Sequence, residues 1–169
     1  MTESEAIATL AEALVSELAA AGRTVAIAES CTGGWIAKAL TDVSGCSQVF
    51  GVGIVSYSNQ AKTSLLGVGE PILATEGAVS RPVVQEMAAG VLAISGADYA
   101  VAVSGIAGPD GGTEDKPVGT VWFAWAGMTS DDPEIDTEQK CFSGDRETIR
   151  SQTVVWALQG LRERLRKDG

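Results

Sequence analysis

Histidine is absent from the 169 residues of the chain. That removes Ser-His-Asp and Cys-His catalysis, His-ligated metal sites and the usual general base near neutral pH. Acid–base chemistry must therefore fall to Lys, Tyr, Asp, Glu or a perturbed Cys. Cysteine is scarce as well. Cys31, Cys46 and Cys141 are odd in number and far apart, with no C-x-x-C pair, which argues against a disulfide framework or zinc ribbon and for a reducing cytoplasm. Clustered basic charge is also missing. At a formal net charge of −10, no Lys/Arg cluster precedes Arg162-Glu163-Arg164-Leu165-Arg166-Lys167, which reads as a solvated helix end complementing its dipole, so no nucleic-acid face is expected. Charged residues interrupt every apolar run before membrane-spanning length, and the N-terminus Met1-Thr2-Glu3-Ser4-Glu5 is acidic, so neither membrane insertion nor export is implied. The length suits one domain, 1–169, with one core.

What is present organises around Ala28-Glu29-Ser30-Cys31-Thr32-Gly33-Gly34. The β-branched and apolar run from Thr24 to Ala28 feeds through two glycines into Trp35-Ile36-Ala37-Lys38-Ala39-Leu40, which has helical character. Ser30 therefore stands at a strand-to-helix junction, where unpaired N–H groups and the positive dipole end face whatever it attacks or holds. Three readings are open: an activated serine nucleophile, an anion-binding loop, or simply Ser30 or Thr32 as the helix N-cap.

Upstream, Thr2 and Glu5 form a capping-box pattern opening an amphipathic helix through Ile7, Leu10, Leu14 and Leu18 to Gly22. Downstream, Gln48 to Tyr57 reads as a central strand, and Ser58 or Asn59 caps a short helix to Leu66. Pro71 to Gly77 reads as a connector with about one helical turn. Ser80 then caps a helix with an apolar face of Val83, Val84, Met87, Val91 and Ile94. Asp98 to Ser104 predicts a strand buried on both faces, leading into the glycine-rich loop Gly105 to Gly112 and on to Lys116-Pro117. Gly119 to Ala126 and Glu134 to Phe142 predict an antiparallel hairpin around a turn at Gly127 to Pro133, and Asp145 caps the last helix. Helices interleaved with strands indicate a three-layer α/β/α sandwich with a mixed sheet and one antiparallel hairpin near the C-terminus. If the strands ending at Ser30 and Ser104 are parallel neighbours, their loops share one mouth.

Without histidine, Ser30 needs another base, and Lys62 in Tyr57-Ser58-Asn59-Gln60-Ala61-Lys62 is the candidate. A free lysine has a pKa of about 10.4, so a Ser-Lys dyad requires desolvation or nearby positive charge. Tyr57 could relay the proton or position the ammonium. The plainer alternative is an exposed helix lysine beside a packed tyrosine. Ser104, Gly105 and Gly108 could supply N–H groups to an oxyanion or phosphate, or form an ordinary turn. Asp110, Glu114 and Asp115 read as solvated charges rather than a cation site, and Cys31 as a small core residue. Arg146 and Arg150 could reach a phosphate or pair with nearby carboxylates.

Five separated motifs, Ala28 to Gly34, Tyr57 to Lys62, Ser104 to Gly112, Lys116-Pro117-Val118-Gly119-Thr120-Val121 and Phe142-Ser143-Gly144-Asp145-Arg146, occur in an order that closely resembles the nicotinamide-nucleotide amidase family, the CinA C-terminal domain. The resemblance covers essentially the whole chain. It implies an α/β/α sandwich that hydrolyses the carboxamide of nicotinamide mononucleotide to nicotinate mononucleotide and ammonia in pyridine-nucleotide salvage, without metal or cofactor. It further implies Ser30 as nucleophile and Lys62 as base with Tyr57 close by, and Thr32, Gly33, Gly34, Asn59, Ser104, Gly105 and Arg146 as groups around the ligand. Longer relatives carry an N-terminal domain that is absent here, which points to a dedicated amidase. The rivals are a nucleotide- or phosphate-binding module without chemistry, and an interaction protein using the Trp122 and Trp125 strand. A homodimer or higher homo-oligomer is expected because the hairpin reads as apolar on both faces.

Overall fold

The computed structural model describes residues 1–128 and 131–169. The elements run α1 (Glu3–Ala21), β1 (Val25–Glu29), α2 (Trp35–Thr41), a short 3-10 turn (Cys46–Gln48), β2 (Phe50–Val55), α3 (Asn59–Leu66), α4 (Glu70–Glu76), α5 (Arg81–Ser95), β3 (Tyr99–Gly105), β4 (Thr120–Met128), β5 (Pro133–Cys141) and α6 (Arg146–Asp168). The sheet order is β2-β1-β3-β4-β5. β1 runs parallel to both β2 and β3, while β4 and β5 are antiparallel. Thus the carboxyl ends of β1, β2 and β3 meet at one edge, and the loops after Ser30 and Ser104 share a mouth as expected.

Alternation along the buried strands builds the two helical layers. Val25 and Ile27 of β1, with Val101 and Val103 of β3, join α1, α2 and α6 in one core. Ala26, Ala28, Ala100, Ala102, Ala124 and Ala126 face α5, with Leu66 of α3 and Leu73 of α4 completing that layer. The alanine face lets α5 lie close to the sheet. The capping box of Thr2 and Glu5 forms at the start of α1, and Asp145 caps α6, as their sequence patterns predict. Among the described residues no helix is long and apolar enough to cross a membrane.

Several expectations need correction. β2 is an edge strand with alternating exposure, not a central one; its strand-forming residues are offset by Gly51 and Gly53. A Cβ added at Gly53 would lie 2.9 Å from the tip of the Phe50 ring and 3.3 Å from Ala37, so a larger residue there would make Phe50 shift. The segment after Gly69 is a seven-residue helix rather than a single turn. Ser80 stands at the N-cap position of α5 but makes no capping bond; its hydroxyl donates to Gly77 O at 2.8 Å. Ile94 is exposed rather than part of the apolar face. The basis for expecting a partner also fails: β4 is covered by α5 and α6 of the same chain, and β5 is mostly exposed and polar. The turn expected at Gly127 to Pro133 includes residues 129 and 130, which lie outside the described residues.

Candidate active site

The buried strand β1 ends in a charged residue, Glu29, which is 1 % exposed. Its carboxylate accepts from the Thr32 hydroxyl at 2.5 Å, from Ile36 N at 2.9 Å and from Ala37 N at 3.0 Å. These backbone groups are orphan donors of the first turn of α2, so Glu29 does the capping that Ser30 or Thr32 could have done. The residue in the N-cap position is Gly34, at φ 100° and without a side-chain cap. With the cap supplied elsewhere, the Ser30 hydroxyl is free for other work.

That work is shared with Lys62. Nζ of Lys62 donates to Ser30 Oγ at 2.9 Å, to Ser56 O at 2.8 Å and to Tyr57 O at 3.3 Å. Lys62 is 1 % exposed, which excludes the surface-lysine alternative. Burial pushes its pKa down from the ordinary 10.5 to about 8, because the charged form loses its hydration. The backbone places the partners at one level: Ser30 N donates to Val103 O and Ser56 N to Glu29 O, pinning the ends of β1, β2 and β3 together.

The remaining expected residues fall into place differently. Tyr57 meets Lys62 through its backbone carbonyl, and its phenol oxygen accepts from Arg146 Nη2 at 2.9 Å. Arg146 also donates from Nη1 to Gly108 O at 2.7 Å. Thr32 is fully buried with its hydroxyl on Glu29, so its side chain is not offered to a ligand. Gly33 N donates to Ser30 O at 3.1 Å, while no partner is found among the described residues for the N–H groups of Thr32 and Gly34. Asn59 borders a groove of about 550 Å³ between α3 and α4, and Gly33 and Gly34 border another of about 510 Å³ beside Trp35; Ser30 lines neither. Ser104 is buried at the end of β3. Gly105 answers to packing, since a Cβ there would meet Val121 Cγ2 at 2.6 Å.

Among the described residues Arg150 and Arg146 do not take up carboxylates as one alternative had it; each binds uncharged oxygens, Arg150 those of Cys31 and Thr32. Cys31 is buried, and its thiol is pushed up to about 12 chiefly by desolvation, which fits a core residue. Among the described residues no group of acidic, cysteine or histidine side chains is arranged to hold a metal.

Sequence reasoning assigned no role to Glu29, although a carboxylate closing a buried apolar strand is itself a signal, because such groups are retained only with partners. Glu29→Gln keeps one accepting oxygen and turns an NH₂ group toward an N–H donor. The expected loss is about 1–3 kcal/mol of stability, read from chemical denaturation, and an unchanged stability would mean that α2 does not depend on this cap.

Over residues 7–165 the sequence matches the CinA C-terminal domain family. The nicotinamide-nucleotide amidohydrolase PncC of Escherichia coli (strain K12) is 55% identical over 161 residues, spanning 95% of each chain. The protein of the same name from Pseudomonas putida is 52% identical over 155 residues, 92% of this chain and 94% of its own. Among solved structures, the competence/damage inducible protein CihA from Agrobacterium tumefaciens superposes with a TM-score of 0.90 at 43% identity, with 94% of each chain covered. The five motifs, the mixed sheet and matches at this identity over nearly the full length place the chain in the CinA C-terminal domain family.

Proposed function

We propose that the protein is a nicotinamide-nucleotide amidase, a hydrolase that converts nicotinamide mononucleotide and water to nicotinate mononucleotide and ammonia through a Ser30 acyl-enzyme, with Lys62 as its base. The reaction belongs to pyridine-nucleotide salvage. The observation that carries this reading is the 2.9 Å contact of buried Lys62 with Ser30. A neutral amine has two N–H groups and one lone pair. The carbonyls of Ser56 and Tyr57 take the two N–H groups, which leaves the lone pair for the Ser30 proton.

Lys62 takes that proton as Ser30 Oγ bonds to the carboxamide carbon. The carbonyl π electrons move to oxygen, where backbone N–H groups of the Thr32–Gly34 turn stabilise the charge. When the C–N bond breaks, Lys62 returns the proton to nitrogen and ammonia departs. Water, deprotonated by Lys62, then cleaves the ester and restores Ser30. For the phosphate, Arg146 is our choice: its guanidinium carries five N–H groups, of which two are engaged. Local donors of this kind let a chain of net charge −10 hold a phosphate.

Sign and window follow from Lys62. Its neutral form is the competent one, so kcat/KM rises with pH through about 8 and then levels. From pH 7 to 9 the competent fraction grows on the order of tenfold. The test is ammonia release from nicotinamide mononucleotide by chelator-treated protein across this range. Release with that inflection supports the reading. Nucleotide binding without release would replace it by a non-catalytic binding module, and the absence of both would overturn the substrate.

A further inference from the structure

We infer that Arg150 is a positioning residue that sets the oxyanion-binding donor of the turn after Ser30, an inference that rests on the acyl-transfer reading above. From α6, Arg150 Nε donates to Cys31 O at 3.0 Å and Nη2 to Thr32 O at 3.0 Å. Two consecutive carbonyls are thus drawn to one guanidinium. A trans peptide is planar, with its N–H directed opposite to its C=O. Drawing Cys31 O toward α6 therefore turns the Thr32 N–H away from α6. α6 packs on the sheet face that includes α1 and α2, and α3, which carries Lys62, packs on the other. The Thr32 N–H accordingly points to the side from which Lys62 reaches Ser30, and it has no protein partner among the described residues.

The next peptide shows the same geometry in occupied form. Thr32 O accepts from Arg150 Nη2 and from Trp35 N, and the Gly33 N–H on the opposite side is taken by Ser30 O. Of the two N–H groups that Arg150 orients, only that of Thr32 remains to meet an oxyanion. The clamp is itself held in place. The guanidinium lies 5.6 Å from the centroid of the Trp35 ring, and Gly33, at φ 59°, leaves it room, since a Cβ there would stand 3.3 Å from Nη2. Glu29 in turn grips the Thr32 side chain, accepting from its hydroxyl. One residue of the turn is therefore fixed at its hydroxyl and at both flanking carbonyls, which is the rigidity that preorganised stabilisation requires.

A residue acting in this way affects the tetrahedral state and neither ground-state binding nor the base. For Arg150→Ala the expected result is a fall in kcat of roughly 10²-fold, with KM within about threefold. The pH inflection set by Lys62 stays where it is in the wild type, and low-millimolar guanidinium partly restores kcat. Arg150→Lys keeps the charge but lacks the planar fork that reaches both carbonyls, and it guards against an alanine variant that does not fold; it too is expected to lose most of kcat. A rise in KM at unchanged kcat would overturn the assignment by making Arg150 a substrate ligand. A displaced pH inflection would overturn it in favour of a charge effect on Lys62. Phosphonylation of Ser30 by a small fluorophosphonate, in which Oγ bonds to phosphorus, fluoride leaves and the phosphoryl oxygen takes the oxyanion position without the nucleotide, gives a readout independent of the substrate. Slower labelling of both variants supports the clamp even if nicotinamide mononucleotide is not turned over, and equal labelling rates overturn it.

Discussion

Ser30→Ala is expected to lower ammonia release by about 10⁴-fold or more, while the affinity for nicotinamide mononucleotide changes little. The hydroxyl is the one group that can bond to the carboxamide carbon in the proposed cycle, and its removal leaves the turn intact. Glu29 still caps α2, Gly33 N still meets the Ser30 carbonyl, and the residue 30 N–H still meets Val103 O. Lys62 loses one acceptor and keeps the carbonyls of Ser56 and Tyr57. Calorimetric titration beside a single-turnover assay separates the two quantities. Substantial turnover by the alanine variant would remove Ser30 from the chemistry and redirect attention to water activated directly by Lys62.

Lys62→Met should also abolish turnover, and its effect on stability has a definite pH dependence. Lowering the lysine from its ordinary 10.5 to about 8 in the fold corresponds to about 3 kcal/mol at 1.36 kcal/mol per tenfold change. Below pH 8 both folded and unfolded chains hold the proton, and the native state carries the full cost of a buried ammonium. Between pH 8 and 10.5 the unfolded chain still binds a proton that the native state has released, so wild-type stability rises with pH. Above 10.5 the contribution is constant. Methionine has no such rise. The stability of the variant relative to wild type is therefore greatest below pH 8 and declines by up to about 3 kcal/mol through this window. Two carbonyls lose their donor in the variant, but that cost does not vary with pH. Denaturant titrations of both proteins at pH 7 and pH 10 check the prediction; a difference independent of pH would mean that Lys62 titrates normally within the fold.

The parts of the site that were legible from sequence were those with local signals. A β-branched run, two glycines and a helical pattern located the turn containing Ser30, and the missing histidine directed attention to Lys62. The interleaving of helices and strands put Ser104 at the same mouth as Ser30 on the condition that their strands were parallel neighbours, as β1 and β3 are. Parts that depend on distant contacts were not legible. Glu29 caps a helix whose capped donors lie seven and eight residues ahead, outside the short spacings of sequence capping patterns. Arg150 could be read as a phosphate ligand or ion-pair partner, because nothing near residue 150 in sequence announces the carbonyls of residues 31 and 32. The edge position of β2 was hidden for another reason: Val49-Phe50-Gly51-Val52-Gly53-Ile54-Val55 has strand-forming composition, but strand order is set by where the chain re-enters the sheet after α2 and again after α3, α4 and α5. Tyr57 shows the limit of motif reasoning at atomic scale, since its motif fixes the residue near Lys62 but not which of its two oxygens meets the lysine.

The clamp on the Ser30 turn reaches across 119 residues to Arg150, whereas Lys62 is 32 residues from Ser30. Closing loops of these lengths carries an entropic cost that is recovered only when both helical layers dock on the sheet. A partly folded chain that has formed its helices and hairpin locally thus carries a serine no more reactive than a free one and a lysine at its solution pKa. On the proposed mechanism, hydrolytic competence belongs to the completed sandwich, and immature or denatured molecules are expected to be chemically inert rather than indiscriminate.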